Sequence, residues 1–154
     1  EKWSVSGKNW FWGPPTVDGT PVYATNLGGE VKAINGTNGD VLWTFKADES
    51  LRAGVVVAGD VVVAVDNAGH VYRLSADKGE SLGQPNALEE GVYATPLLLS
   101  GGQGVRRGGP TASARPSASP AASEEAGDTV LIATKSGHLW TLDVTLGRTT
   151  EVVD

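Results

Sequence analysis

Cysteine is absent from this sequence of 154 residues. Disulfide bonds and thiolate chemistry are therefore excluded, and cysteine usage says nothing about the redox compartment. Basic side chains are also scarce: 12 Lys and Arg stand against 18 Asp and Glu, which leaves a net charge of -6. A nucleic-acid surface needs clustered Lys and Arg to neutralise phosphates, so nucleic acid is not predicted as a partner.

Long apolar runs and helical patterns are missing too. No apolar run approaches the roughly 18 residues of a membrane-spanning helix, so no membrane span is predicted. No long stretch keeps an apolar period of about 3.6 residues without a Gly or Pro, which argues against helices. The chain also lacks an initiator Met and a signal peptide, since it opens on Glu1-Lys2-Trp3, and we expect it to derive from a longer precursor.

Glycine is abundant, at 21 residues, and it recurs at a fixed spacing. One set of three glycines returns after forty residues and again after a further sixty-eight, namely Gly19, Gly29 and Gly39; Gly59, Gly69 and Gly79; Gly127, Gly137 and Gly147. A fixed period of about 20 to 50 residues is typical of repeat architectures, in which units stack to bury their apolar faces. We predict three copies, over about residues 7–46, 47–86 and 87–154.

Each copy predicts four short strands joined by turns that contain glycine. In the second copy the strands cover residues 55–58, 61–66 and 70–75, with a weaker one at 80–83. The first two strands of each copy are apolar on both sides, so we expect both of their faces to be covered. The predicted fold is all-β: a β-propeller segment of about three four-stranded antiparallel blades.

Three blades fall short of the ring that a propeller forms, which usually has about four to eight blades. We therefore expect this segment to belong to a longer propeller. The remaining blades would come from the same longer chain, or else from oligomerisation.

The first copy carries a more specific motif. Ala33, Asn35, Gly39 and Trp43 stand in the spacing Ala-x-Asn, a turn that ends in Gly, and Trp four residues later. This resembles the tryptophan-docking repeat of the pyrroloquinoline-quinone-like (PQQ-like) propellers. Trp3 lies forty residues before Trp43 and resembles the tail of a preceding blade.

The later copies depart from this pattern. Gly83 and Glu151 stand where the motif has Trp, and Arg73 and Thr141 replace the small Ala. Asp143 and Gly147 are retained. We expect each lost tryptophan contact to weaken the packing between blades by about 1 to 3 kcal/mol.

The resemblance implies an exported bacterial protein, periplasmic or extracellular, similar to the propellers of outer-membrane assembly lipoproteins. Such a module binds a protein or peptide partner and has no catalytic residue, metal or cofactor. The alternative is a fragment of a PQQ-dependent quinoprotein dehydrogenase, in which a propeller holds the quinone and a calcium ion. A further alternative is a carbohydrate-binding propeller that uses aromatic side chains such as Trp10 and Trp12.

Candidate site residues are few. Trp10-Phe11-Trp12 is an aromatic cluster that either packs against a neighbouring blade or serves as a platform for a partner. The two histidines, His70 and His138, are interpreted as ordinary residues beside turns, because a zinc site needs three or four converging ligands. The predicted inner strands carry no carboxylate, which argues against a calcium site at the propeller axis.

Residues 101–127 consist of small residues, Pro and a few charges, and are predicted to be a disordered, low-complexity loop inserted in the third copy. One interpretation is a surface insertion without a role. The other is a docking arm for an acidic partner, formed by Arg106, Arg107 and Arg115.

Overall fold

The computed structural model describes residues 2–99 and 127–152, which form three sheets of four strands each. Blade 1 consists of β1 (Thr16–Val17), β2 (Pro21–Thr25), β3 (Glu30–Asn35) and β4 (Val41–Lys46). Blade 2 consists of β5 (Val56–Ala58), β6 (Val61–Val65), β7 (His70–Ser75) and β8 (Asn86–Ala87). Blade 3 consists of β9 (Leu97–Leu99), β10 (Thr129–Ala133), β11 (Leu139–Asp143) and β12 (Arg148–Val152).

Strands follow one another in space as they do along the chain, and every neighbouring pair is antiparallel. This confirms the predicted all-β fold of three four-stranded antiparallel sheets. The described residues contain no helix, and thus none that could span a membrane. The predicted boundaries of the three copies stay predictions.

The core lies in two layers, one on each side of blade 2. Val62 and Ala64 of β6 pack in the layer shared with blade 1, whereas Val63 and Val65 pack in the layer shared with blade 3. All four side chains are fully buried. The unbroken apolar run of β6 is thus explained by a strand with a neighbouring blade on both faces.

Both faces of the first two strands of each copy were expected to be covered. Blade 3 differs, because one of its faces is not covered by any described residue. Leu97 and Leu99 of β9 point to this face and are exposed. Val130 and Ile132 of β10 point the other way, toward blade 2, and are buried. Among the described residues, both faces of β6 are covered in blade 2, whereas one face of blade 3 is open, and so is one face of blade 1, where Val22 and Ala24 are only half-buried.

The outer strand of blade 2 also departs from its prediction. The predicted strand at residues 80–83 is reduced to one bridge between Leu74 and Ser81. The chain then detours at Gly83, whose φ of 109° favours glycine. It rejoins the sheet as β8, where Asn86 pairs with Val71.

In blade 3 the outer strand is regular but shifted. Blade 1 has a bulge that sets Trp43 opposite Ala33. The ladder between β11 and β12 has no such irregularity, so Thr150, rather than Glu151, stands opposite Thr141. The predicted insert at residues 101–127, with Arg106, Arg107 and Arg115, lies outside the described residues except for Gly127.

Candidate interaction surface

The joint between two blades is closed by a tryptophan that lies across the next blade. Trp43 of β4 is buried, and its indole Nε1 donates a hydrogen bond to the Ala76 carbonyl of blade 2 at 2.9 Å. Its ring covers Gly79, where a side chain would collide with the indole. The docking contact predicted for Trp43 therefore joins blades 1 and 2. It requires glycine at position 79, because a side chain there would collide with the indole.

Trp3 repeats this contact one unit earlier. Its Nε1 donates to the Gly36 carbonyl at 2.9 Å, and its ring covers Gly39. Gly36 precedes Ala76 by forty residues, as Trp3 precedes Trp43. The segment before blade 1 therefore carries a docking tryptophan of its own.

Arg73 takes the place of the tryptophan at the joint between blades 2 and 3. Its Nη1 donates to the Val144 carbonyl at 3.0 Å, and Nη2 donates to the Leu82 carbonyl at 2.7 Å. The guanidinium lies over Gly147, which is the equivalent of Gly79. Gly83 has no side chain to compete for this slot. The sequence predicts that Arg73 and Gly83, which replace the Ala and Trp of the motif, remove a contact between blades. In the structure the Arg73 guanidinium instead occupies the place of the missing indole.

A second repeated feature lies at the linkers that lead into each blade. The backbone N–H of a residue in the turn after each second strand donates to a linker carbonyl, at 2.9 Å in all three cases: Leu27 to Trp10, Asn67 to Ser50 and Lys135 to Gly91. Trp10, Ser50 and Gly91 are therefore equivalent positions. The two residues after each of them are equivalent as well.

The first of these residues points inward and the second points outward. Leu51 and Val92 are fully buried, and Phe11, the equivalent residue before blade 1, is 38% exposed. The outward set is Trp12, Arg52 and Tyr93. We call these three residues the linker row.

The linker row is an exposed combination of aromatic and cationic side chains. Trp12 is 59% exposed, Tyr93 is 51% exposed, and the Arg52 guanidinium carbon lies 5.5 Å from the centre of the Tyr93 ring. That distance is within the range of a cation–π contact. The linker row therefore places exposed aromatic and cationic side chains at the linkers that lead into successive blades.

The structure separates the predicted cluster of Trp10, Phe11 and Trp12. Trp10 is 76% exposed and Trp12 belongs to the linker row, whereas Phe11 turns toward blade 1. Arg52 and Tyr93 were not singled out from the sequence. The glycine period of forty residues leads from Trp12 to Arg52, but it does not lead to Tyr93, which follows Arg52 by forty-one residues.

The turns beside the linker row are fixed by polar side chains at one repeated position. Asp66 is fully buried and accepts hydrogen bonds from the backbone of Ala68 and His70, from His70 Nδ1 at 2.9 Å and from the Tyr72 hydroxyl at 2.9 Å. Burial opposes ionisation, but the hydrogen bonds from His70 and Tyr72 outweigh it and lower the pKa of Asp66. Asn26 holds the equivalent turn in blade 1 through its Oδ1.

The linker into blade 3 is tied to its turn by Glu90. This carboxylate accepts hydrogen bonds from Ser136 Oγ at 2.9 Å and from His138 Nδ1 at 2.6 Å. Hydrogen bonding to Thr134, Ser136 and His138 lowers the pKa of Glu90. Each histidine thus has a carboxylate partner in its own surroundings, and the two do not converge on a common ligand.

The described residues do not fit a quinone with calcium. Calcium takes about six to eight oxygen ligands, mostly from carboxylates and carbonyls. The inner strands β1, β5 and β9 carry no carboxylate, and the described part of the chain has no cluster of three acidic, His or Cys side chains that could hold a metal.

Comparison with known proteins supports the propeller fold described above and identifies the family of the chain. Over 76 residues, 49% of this chain, the sequence is 40% identical to the outer membrane protein assembly factor BamB of Xanthomonas campestris pv. campestris. The crystal structure of BamB from Moraxella catarrhalis superposes with a TM-score of 0.58 at 20% identity and covers 96% of the chain. A quinohemoprotein alcohol dehydrogenase from Comamonas testosteroni superposes with a TM-score of 0.64 at 14% identity over 94% of the chain.

The chain covers only part of the length of each of these proteins. The match spans 18% of the Xanthomonas protein, 54% of the Moraxella structure and 21% of the dehydrogenase. The two superpositions show the fold alone, because both identities are low. The family model described as outer membrane protein assembly factor BamB matches residues 1–151. Since that match includes nearly all of the sequence, the chain belongs to this family of PQQ-like propeller proteins.

Proposed function

We propose that this chain is part of a non-catalytic propeller that binds a protein partner during the assembly of outer-membrane proteins, outside the bacterial cytoplasm. The family match supports the biological setting. The linker row is the observation that carries the proposal. It sets Trp12, Arg52 and Tyr93 at equivalent, exposed positions, and Trp, Tyr and Arg are the residue types that dominate binding energy at interfaces.

The row is well suited to binding because its backbone is fixed. Each linker is pinned to a turn by a 2.9 Å hydrogen bond and anchored by the inward residue that precedes the row. Leu51 and Val92 are fully buried, so Arg52 and Tyr93 are presented from a rigid base. A surface ordered before binding loses little conformational entropy when a partner docks.

The enzymatic alternative has less support. A quinoprotein dehydrogenase requires a set of oxygen ligands near the axis, and the described inner strands lack carboxylates. The likeness to the dehydrogenase structure is one of fold, at 14% identity. Contact with a polypeptide therefore accounts better for the exposed aromatic and cationic residues.

The test is binding to outer-membrane assembly machinery purified from a Xanthomonas strain that lacks BamB. We expect the chain to bind, and Arg52→Glu to weaken binding at least tenfold, because the change reverses the charge at the centre of the row. Arg148→Glu is the matched control, since Arg148 is an exposed arginine on β12, away from the row. Equal losses for both variants, or no binding by the unchanged chain, would contradict the proposal.

A further inference from the structure

Threonines of blade 1 bind the backbone that follows the arginine of the linker row. Thr25 Oγ1 of β2 donates a hydrogen bond to the Ala53 carbonyl at 2.8 Å. Thr16 Oγ1 of β1 donates to the Val55 carbonyl at 2.7 Å. Ala53 and Val55 are both buried, and buried carbonyl groups need a hydrogen-bond partner. The two bonds therefore hold this backbone against blade 1 on both sides of Gly54.

A third threonine joins the same backbone to the neighbouring linker. The Gly54 N–H donates to Thr95 Oγ1 at 3.0 Å. Gly54 lies two residues after Arg52, and Thr95 lies two residues after Tyr93. The contact is close, because a side chain at position 54 would collide with the Pro14 carbonyl. One hydrogen bond thus connects the two linkers that present the arginine and the tyrosine of the row.

We call Thr16, Thr25 and Thr95 the threonine clamp. Its hydroxyl groups do not follow the repeat. At the linker into blade 3, the places of the two blade 1 threonines are taken by Val56 and Val65, which have no hydroxyl group. At the linker into blade 1, the place of Thr95 is taken by Gly54. Among the described residues, the complete clamp therefore occurs only at the linker that carries the arginine.

The clamp acts on the distance between the arginine and the tyrosine of the row. The Arg52 guanidinium carbon lies 5.5 Å from the centre of the Tyr93 ring, near the outer limit of about 6 Å for a cation–π contact. The two side chains start from different linkers, and the hydrogen bond between Gly54 and Thr95 joins these linkers directly. A small shift of one linker against the other would therefore end the contact.

We propose that Thr95 is a positioning residue of the linker row. By accepting the Gly54 N–H, its hydroxyl group sets the spacing of the two linkers, and with it the place of the arginine that the partner recognises. The part of this inference that concerns binding rests on the proposed function. The part that concerns the contact between Arg52 and Tyr93 can be tested without a partner.

The test variants are Thr95→Val, which removes the hydroxyl group with little change of shape, and Thr95→Ser, which keeps it. Nuclear magnetic resonance of the chain alone measures the nuclear Overhauser effect between the Arg52 side chain and the Tyr93 ring. We expect Thr95→Val to weaken this effect at least threefold and Thr95→Ser to preserve it. Thr150→Val, at an exposed threonine of β12, is the control and should also preserve it.

The same variants are then tested for binding to assembly machinery purified from the Xanthomonas strain that lacks BamB. We expect Thr95→Val to weaken binding at least fivefold, and Thr95→Ser and Thr150→Val to leave it within twofold. In an Arg52→Gln background, Thr95→Val should weaken binding by less than a further twofold, because the residue that it positions is already lost. A threonine with a purely structural role would lower affinity equally in both backgrounds.

An unchanged Overhauser effect in Thr95→Val would overturn the proposal, and so would an equal loss of binding in the two backgrounds. Failure of the unchanged chain to bind would overturn the proposed function and the binding part with it, while the Overhauser measurement still decides whether Thr95 positions Arg52. If Thr95→Val does not fold, Thr16→Val and Thr16→Ser take its place with the same expected results, because Thr16 holds the same backbone at Val55.

Discussion

At the scale of single residues, the slot between blades accepts two chemically different side chains. The Trp43 indole and the Arg73 guanidinium are both flat, and each donates to a carbonyl at the same position of the next blade. They differ in what they bury. The indole removes a large apolar surface from water, whereas the guanidinium acts mainly through its hydrogen bonds.

This difference predicts unequal costs of truncation. Trp43→Ala should lower the free energy of unfolding by about 3 to 5 kcal/mol, because it leaves a cavity in the joint. Arg73→Ala should lower it by about 1 to 3 kcal/mol, because hydrogen bonds to backbone carbonyls are lost. Urea denaturation followed by circular dichroism measures both values. Arg148→Ala, at an exposed site, should change stability by no more than about 0.5 kcal/mol, and a similarly neutral Arg73→Ala would show that the guanidinium is not docked.

At the scale of elements, the turn between β6 and β7 is held by the Asp66 carboxylate. Its hydrogen bonds from His70 and Tyr72 favour the charged form, so the pKa of Asp66 is lowered in the folded state. The unfolded chain then binds more protons than the folded chain over the acid range. The stabilisation that ionised Asp66 contributes is therefore complete above the ordinary Asp pKa of about 3.9. It is lost as the pH falls through the lower pKa that Asp66 has in the folded chain.

We expect the melting temperature to fall as the pH is lowered from about 5 to below about 3, with Asp66, Glu90 and Glu30 contributing in the same direction, since the pKa of each is lowered. Asp66→Asn should lower stability at pH 7 and flatten this dependence, because the amide keeps one acceptor but cannot ionise. Calorimetry at a series of pH values checks this. Asp77→Asn, at a turn residue of the same blade, is the control, and an unchanged acid slope in Asp66→Asn would count against the assignment.

The sequence pattern was sufficient to predict three sheets of four strands, but it did not predict the position of the outer strand of blade 2. Glycines at a fixed period and apolar runs on doubly covered strands can be read directly from the sequence, and they predict the three sheets. The shift at Thr150, the detour into β8 and the docking of Arg73 depend on contacts between strands or blades, which no local window contains. The linker row was missed for the same reason, because Arg52 and Tyr93 become neighbours only through stacking.

At the scale of the whole molecule, the described residues present surfaces for contact and no set of ligands for a quinone enzyme. We therefore expect added pyrroloquinoline quinone with calcium to leave the melting temperature unchanged and to give no binding heat. A quinoprotein dehydrogenase measured in parallel serves as the positive control. Tight quinone binding, or dye-linked alcohol oxidation above a no-protein blank, would favour the enzymatic alternative.

The exchange at Arg73 and Gly83 also bears on how a stack of blades diverges during evolution. Trp at position 83 beside Arg73 would place two planar groups in one slot, and Ala at position 73 beside Gly83 would leave that slot empty. Each substitution is thus favourable only in the background of the other, which is sign epistasis between two positions of one blade. A count of docking tryptophans would therefore miss the joint between blades 2 and 3 of this chain, which is closed by Arg73.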